Sequence, residues 1–223
     1  MSARPRAATP VAFVRAVLLA YEKYGADPRE ALGRAQIPPR LLRLPDARIT
    51  ARQLETFSAA AMQQLDDEAL GWFSRRLPWG SLGMLCRASL SSPMLGVALK
   101  RWCRHHRLLT EDVVFSLSFD GTLATFAIEE RVDLGVMREF CLLCSLRNVH
   151  GYACWLVNQR IPLRQVTLPF APPPHEDVYG LLFPGPVRFG ARAAGFSFAA
   201  QLPRLAVRRD ERLRSQGGTA RRR

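Results

Sequence analysis

Apolar residues recur at helical spacing through the first half of the chain, then begin to alternate near Val113. Val11, Val14, Leu18 and Tyr21 fall on one helical face, with Pro10 suited to a first helical position behind Thr9 and Gly25 placed to stop the helix. Asp27 and Pro28 then open a short helix toward Gln36, and the segment from Ile37 to Pro45, with three prolines, reads as a turn-rich connector. Thr50 and Gln53 have the spacing of a capping box and start a helix through Leu54, Phe57, Ala61 and Leu65. Asp66 and Asp67 predict a further short helix carrying Leu70, Trp72 and Phe73, followed by a Gly-rich loop from Pro78 to Gly83. Ser92 and Pro93 give a cap-plus-first-turn signal for a helix with Leu95, Leu99, Trp102, His106 and Leu109 on one side. Lys100, Arg101, Arg104 and Arg107 take much of its remainder.

In the second half, Val113, Phe115, Leu117 and Phe119 alternate with polar or small residues up to Asp120-Gly121, a two-residue hairpin turn. That turn places Phe115 opposite Phe126 and Val113 opposite Ile128, so both strands bury one face. A long helix from about Leu134 to Gln159 is apolar around most of its circumference and therefore expected to be buried. Short strands at Gln165 to Phe170, Pro186 to Phe189 and Gly195 to Ala199 complete the pattern, with a short helix from His175 to Phe183 after the first. Helices first, then a β-hairpin, a long buried helix and short strands in a small, mainly antiparallel sheet, define an α+β fold.

The length of 223 residues suits one domain. It is expected to run from Pro10 to Val207, with residues 1–9 and the Arg-rich tail 208–223 disordered. No apolar run reaches the roughly 18 residues of a membrane span, and the N-terminal stretch, broken by Arg15, Glu22 and Lys23, does not read as a secretory signal. A cytoplasmic location is the resulting expectation. Cys86, Cys103, Cys141, Cys144 and Cys154 are odd in number, against a disulfide framework and in favour of reduced, buried thiols. Net charge is +13 with a pI near 10.8, which points toward an anionic partner. Apart from the terminal cluster of Arg208, Arg209, Arg212, Arg214 and Arg221 to Arg223, however, the arginines are dispersed rather than gathered on one element.

The stretch Trp79-Gly80-Ser81-Leu82-Gly83-Met84-Leu85-Cys86-Arg87-Ala88-Ser89-Leu90-Ser91-Ser92-Pro93-Met94-Leu95 resembles the N-terminal arabinose-binding-like regulatory domain of AraC-type transcription regulators. Leu168-Pro169-Phe170, Tyr179-Gly180-Leu181-Leu182-Phe183 and Pro186-Val187-Arg188-Phe189-Gly190-Ala191 resemble the same family in the same order, so the likeness spans Pro10 to Val207. It implies a domain that binds a small organic effector and forms a homodimer, without a cofactor. In that family two helix-turn-helix units follow. The 16 residues after Val207 are too few for even one, so DNA contact is expected only through a full-length regulator, or weakly through the Arg-rich tail. The alternative reading is a basic, non-specific nucleic-acid-binding protein, whose binding would be indifferent to sequence and fade steeply with salt.

A candidate ligand site follows from the long helix. At about 100° per residue, Arg138, Ser145, Tyr152 and Gln159 share a polar edge, whereas Arg147 falls on the stripe of Val136, Phe140, Leu143 and Cys154, bordered by His150. A guanidinium among apolar groups needs a partner. An internal carboxylate (Glu129, Asp133 or Glu139), an escape to solvent, or the acidic group of a bound effector would each supply one. Arg147 and His150 are therefore candidate ligand-binding residues, with Trp79, Trp102, Phe140 and Trp155 as a candidate apolar wall; plain core packing is the competing reading of these aromatics.

Enzymatic chemistry finds no footing. Cys141 and Cys144 lie within a helix without a second such pair, and the adjacent His105 and His106 point about 100° apart, so a metal site is not expected. There is no Gly-x-Ser-x-Gly elbow and no Gly-rich phosphate fingerprint.

Overall fold

The computed structural model describes residues 7–209; the segments 1–9 and 208–223 expected to be disordered lie outside these except at residues 7–9 and 208–209, where Thr9 pairs with Ile49 and the Arg208 N–H donates to the Leu156 carbonyl. Strand β1 (Thr9–Pro10) leads into helix α1 (Val11–Tyr24), which Gly25 ends in the left-handed conformation at φ 61°. Helix α2 (Arg29–Arg34) and strand β2 (Arg48–Ile49) follow, with β2 pairing antiparallel with β1. Helix α3 (Ala51–Gln64) begins at the Thr50–Gln53 capping box, formed in both directions as the spacing predicts. Helices α4 (Ser81–Leu90) and α5 (Leu95–Leu109) then lead into the hairpin of β3 (Val113–Asp120) and β4 (Leu123–Glu130). The long helix α6 (Arg138–Val157) crosses the core, followed by β5 (Gln165–Thr167), α7 (Tyr179–Leu182), β6 (Val187–Arg188) and β7 (Ala194–Ala199). Five strands form one sheet in the order β3-β4-β7-β5-β6, antiparallel except for the β5–β6 pair. The protein is α+β, with helices gathered on a small mixed sheet. No helix among the described residues is long and apolar enough to cross a membrane.

The hairpin buries the face its alternation predicts, but its register differs. Asp120 pairs with Leu123, so the turn is Gly121-Thr122, with Gly121 at φ 50°; Phe115 faces Ile128 and Leu117 faces Phe126. Moving the turn by one residue moves every partner by two, which keeps the same side chains inward. Gly takes the first central position because that position needs a positive φ.

Three helix starts also differ from the sequence expectation, each because the hydrogen bonds go to other groups than the expected cap provides. No helix forms at Asp66 and Asp67. The Asp67 carboxylate instead accepts from the backbone N–H groups of Ala69, Gly71 and Leu77, and Leu70 and Gly71 turn left-handed. The loop expected from Pro78 to Gly83 becomes helical at Ser81, because Glu68 accepts from the N–H groups of Gly80 (2.9 Å) and Leu82 (2.6 Å). Ser92 does not cap α5, which starts at Leu95, where the Leu205 carbonyl takes the first N–H at 2.9 Å. The Ser92 hydroxyl accepts from Arg101 instead.

In the sheet, Phe126 faces Phe196 and their rings stack at 5.2 Å. Gly195 beside them is a close backbone approach: a Cβ there would lie 2.6 Å from the Phe126 carbonyl oxygen. Gly195→Ala is expected to destabilise the domain by about 1–3 kcal/mol in urea denaturation, because the clash is with backbone and β4 must move. A loss below about 0.5 kcal/mol would show that the strands separate freely.

Candidate functional site

Two adjoining hollows open where α4, α5, α6 and the segment between α3 and α4 meet. Glu68, Trp79 and Leu82 belong to the walls of both. The outer hollow, about 430 Å³, lies against Gly83, Cys86 and Arg87 of α4 and Tyr152 and Trp155 of α6. The inner one, about 190 Å³, is bounded by Trp72, Leu85, Trp102, His106, Phe115 and Val149 among others.

The sequence explains why these side chains converge. Trp102 and His106 are four residues apart on α5, so they share its inward face, and Tyr152 and Trp155 have the corresponding three-residue spacing on α6. Trp155 stacks on Tyr152 (5.8 Å between centroids), and Tyr152 lies 4.7 Å from Trp102, which makes an aromatic ladder from the outer hollow to the inner. The Tyr152 hydroxyl donates to the Cys86 carbonyl at 2.7 Å and contacts the Ser89 hydroxyl at 3.1 Å, tying α6 to α4. His106 stacks on Phe115 at 3.9 Å and meets Phe73 edge-on. Burial pushes its pKa down to about 4, so the imidazole is neutral at physiological pH.

The polar inventory of the inner hollow is unusual. The buried Trp72 Nε1, Trp102 Nε1 and His106 Nδ1 have no hydrogen-bond partner among the described residues. Trp102 and His106 are only 2% and 6% exposed, so bulk water is not the answer. The fourth such atom, His105 Nδ1, belongs to a residue outside either wall.

Of the six residues singled out from the sequence, Trp79, Trp102 and Trp155 line the hollows. The other three lie elsewhere. Phe140 is buried core against Phe13 (5.5 Å) and Trp72 (5.9 Å). Arg147 is exposed rather than buried, and its Nη1 donates to the Leu182 carbonyl at 2.6 Å. Because α6 is apolar on nearly every side, an apolar neighbourhood on its helical wheel does not mark the inward face. His150 Nε2 pairs with the Ile161 carbonyl at 2.8 Å, its ring edge-on to Phe196. The carboxylates considered for Arg147 are engaged elsewhere: Glu139 with His175 and Tyr179, Glu129 with Arg131, and Asp133 with the Gly135 N–H. Arg138 is the α6 arginine with a carboxylate partner, held bidentate by Glu130 at 2.6 and 2.9 Å. Sequence reasoning missed Glu68, Trp72, Tyr152 and, as a site residue, His106; only the i, i+4 pairing of His106 with Trp102 carried a signal.

The five cysteines are free thiols, and burial pushes those of Cys103 and Cys144 up to about 12, which makes them poor nucleophiles. No cluster of three or more metal-ligating side chains occurs among the described residues.

Residues 25–207 match the family described as the arabinose-binding domain of AraC transcription regulators, N-terminal. The chain belongs to that family, a class of ligand-sensing regulatory domains. It is similar to the Ornithine utilization regulator of Pseudomonas aeruginosa, at 28% identity over 177 residues that cover 78% of this chain and 52% of that protein. The chain thus spans about half the length of this curated relative. The crystal structure of the transcriptional regulator CdpR from Pseudomonas aeruginosa matches over 88% of this chain and 57% of that one, with a TM-score of 0.45 and 14% identity.

Proposed function

We propose that the two hollows are the effector site of a non-enzymatic, cytoplasmic, homodimeric regulatory domain, and that a small organic molecule bound there controls transcription through a DNA-binding partner domain. The observation that carries this reading is the inner hollow itself: apolar aromatic walls with a few buried polar atoms left unpaired, the composition of a small-molecule pocket. Regulation has a physical route. On the last turn of α6, the Leu156 carbonyl accepts from the Arg208 N–H and the Trp155 carbonyl from Arg209 Nε, while the Arg209 guanidinium lies 5.8 Å from the Trp155 ring centre. A ligand that repositions Trp155 therefore biases the path of the chain beyond Val207, which is a population shift between two arrangements.

The test is a thermal-shift screen against amino acids, organic acids, fatty acids and sugars, with duplex DNA at two salt concentrations alongside. One small-molecule class is expected to stabilise the protein in a dose-dependent way, by about 2.7 kcal/mol at a hundredfold excess over Kd and rising with the logarithm of its concentration. Leu85→Trp, which fills the inner hollow from α4, should weaken that binding by roughly a hundredfold, an estimate from the few kcal/mol of an overpacked core. Arg147→Ala should leave it unchanged. Loss of binding in Arg147→Ala with retention in Leu85→Trp would move the site to the α7 side of α6. A salt-sensitive response to DNA alone would replace the sensor reading with non-specific nucleic-acid binding.

A further inference from the structure

We infer that the inner hollow takes an uncharged aromatic or heteroaromatic molecule of one or two rings carrying a hydrogen-bond acceptor; this rests on the effector-site reading above. Size comes first. A cavity of roughly 150 Å³ lined by apolar side chains holds benzene, so about 190 Å³ accommodates a single or compact fused ring but not a long chain. Wall chemistry agrees, because Trp72, Phe73, Trp79, Trp102 and Phe115 are among the lining residues, and aromatic side chains favour an aromatic guest.

Charge is the sharper argument. The wall contains no lysine or arginine, and its imidazole is held neutral by burial. Its one carboxylate, Glu68, already accepts from the Gly80 and Leu82 N–H groups and would repel an anion. An organic anion would enter this space without a countercharge, which is costly. Arg87 lines only the outer hollow, so any acidic substituent would have to extend there.

The unpaired atoms then specify the functional group. Indole Nε1 of Trp72 and of Trp102 can only donate, and neither is open to water in the hollow, so a guest's acceptor, such as a carbonyl oxygen or an aromatic ring nitrogen, reaches them through a small shift of these two wall side chains. A pure hydrocarbon leaves both donors unsatisfied.

Quinoline, naphthalene and 2-naphthoate separate these features: one shape, with an acceptor, with none, and with a negative charge. Titration calorimetry on the intact chain should show quinoline binding about tenfold more tightly than naphthalene, the worth of one buried hydrogen bond, and 2-naphthoate more weakly than either. The double variant Trp72→Phe/Trp102→Phe keeps the rings but removes both donors; it should bind naphthalene still and lose the preference for quinoline. Equal affinities for quinoline and naphthalene in the wild type, a preference that survives the double variant, tightest binding of 2-naphthoate, or no binding of any of the three would each overturn the inference. Leu85→Trp isolates the other failure: if the probes bind it as well as wild type, the hollow is not the site, whatever their ranking.

Discussion

Asp67→Ala is expected to cost the domain about 3–5 kcal/mol, the range for removing one partner from a buried charged network. The Asp67 side chain is fully buried, and its two oxygens accept from the N–H groups of Ala69, Gly71 and Leu77 and from the Tyr24 hydroxyl at 2.8 Å. Alanine leaves three backbone donors and a phenol without partners inside the protein, so the loss combines missing bonds with uncompensated desolvation. Asp67→Asn should lose less, because an amide oxygen still accepts while its NH₂ confronts backbone donors. Urea denaturation measures both. The same segment carries Glu68, Ala69, Trp72, Phe73 and Leu77 into the wall of the inner hollow, so Asp67→Ala should also weaken ligand binding. A loss under about 1 kcal/mol would mean that the turn is held by its apolar contacts and that the carboxylate is incidental.

Acid should destabilise the domain through His106. Its folded-state pKa is pushed down to about 4 by burial between Phe73 and Phe115, against an ordinary value near 6.5. Between those values the unfolded chain takes up a proton that the folded chain refuses. The contribution is therefore complete above pH 6.5, falls as the pH drops, and levels off below about 4. At about 1.4 kcal/mol per pH unit the full loss is about 3 kcal/mol. His150, whose pKa is also lowered chiefly by burial, adds to the same direction. Denaturation at several pH values, compared with His106→Phe, isolates the effect from that of the carboxylates. The variant should lose the His106 share of the slope between pH 6.5 and 4; parallel wild-type and variant profiles would remove His106 from the account.

Local chemistry made much of the fold legible. The capping box at Thr50 and Gln53, the stop at Gly25 and the two-residue alternation of β3 and β4 act within a few residues, so a reader of the sequence meets them whole. The family likeness also rested on contiguous motifs, from Trp79 to Leu95 and from Leu168 to Ala191. The site was only half legible. The sequence pointed to Trp79, Trp102 and Trp155, which line the hollows, and charge on an apolar helix pointed to Arg147, which lies at the surface beside α7.

By itself, then, the sequence determined the order and type of most elements, the buried face of the hairpin and the aromatic supply for a pocket, because each depends on spacing within one segment. Tertiary structure alone decided the helix starts at Ser81 and Leu95, the bonds from Leu77 and Tyr24 that close the turn on Asp67, the partner of Arg138 and the convergence on the hollows. In each case a donor meets an acceptor, or one aromatic another, brought from a different part of the chain. Their energies depend on distances that only the packed fold sets, and no local pattern records them.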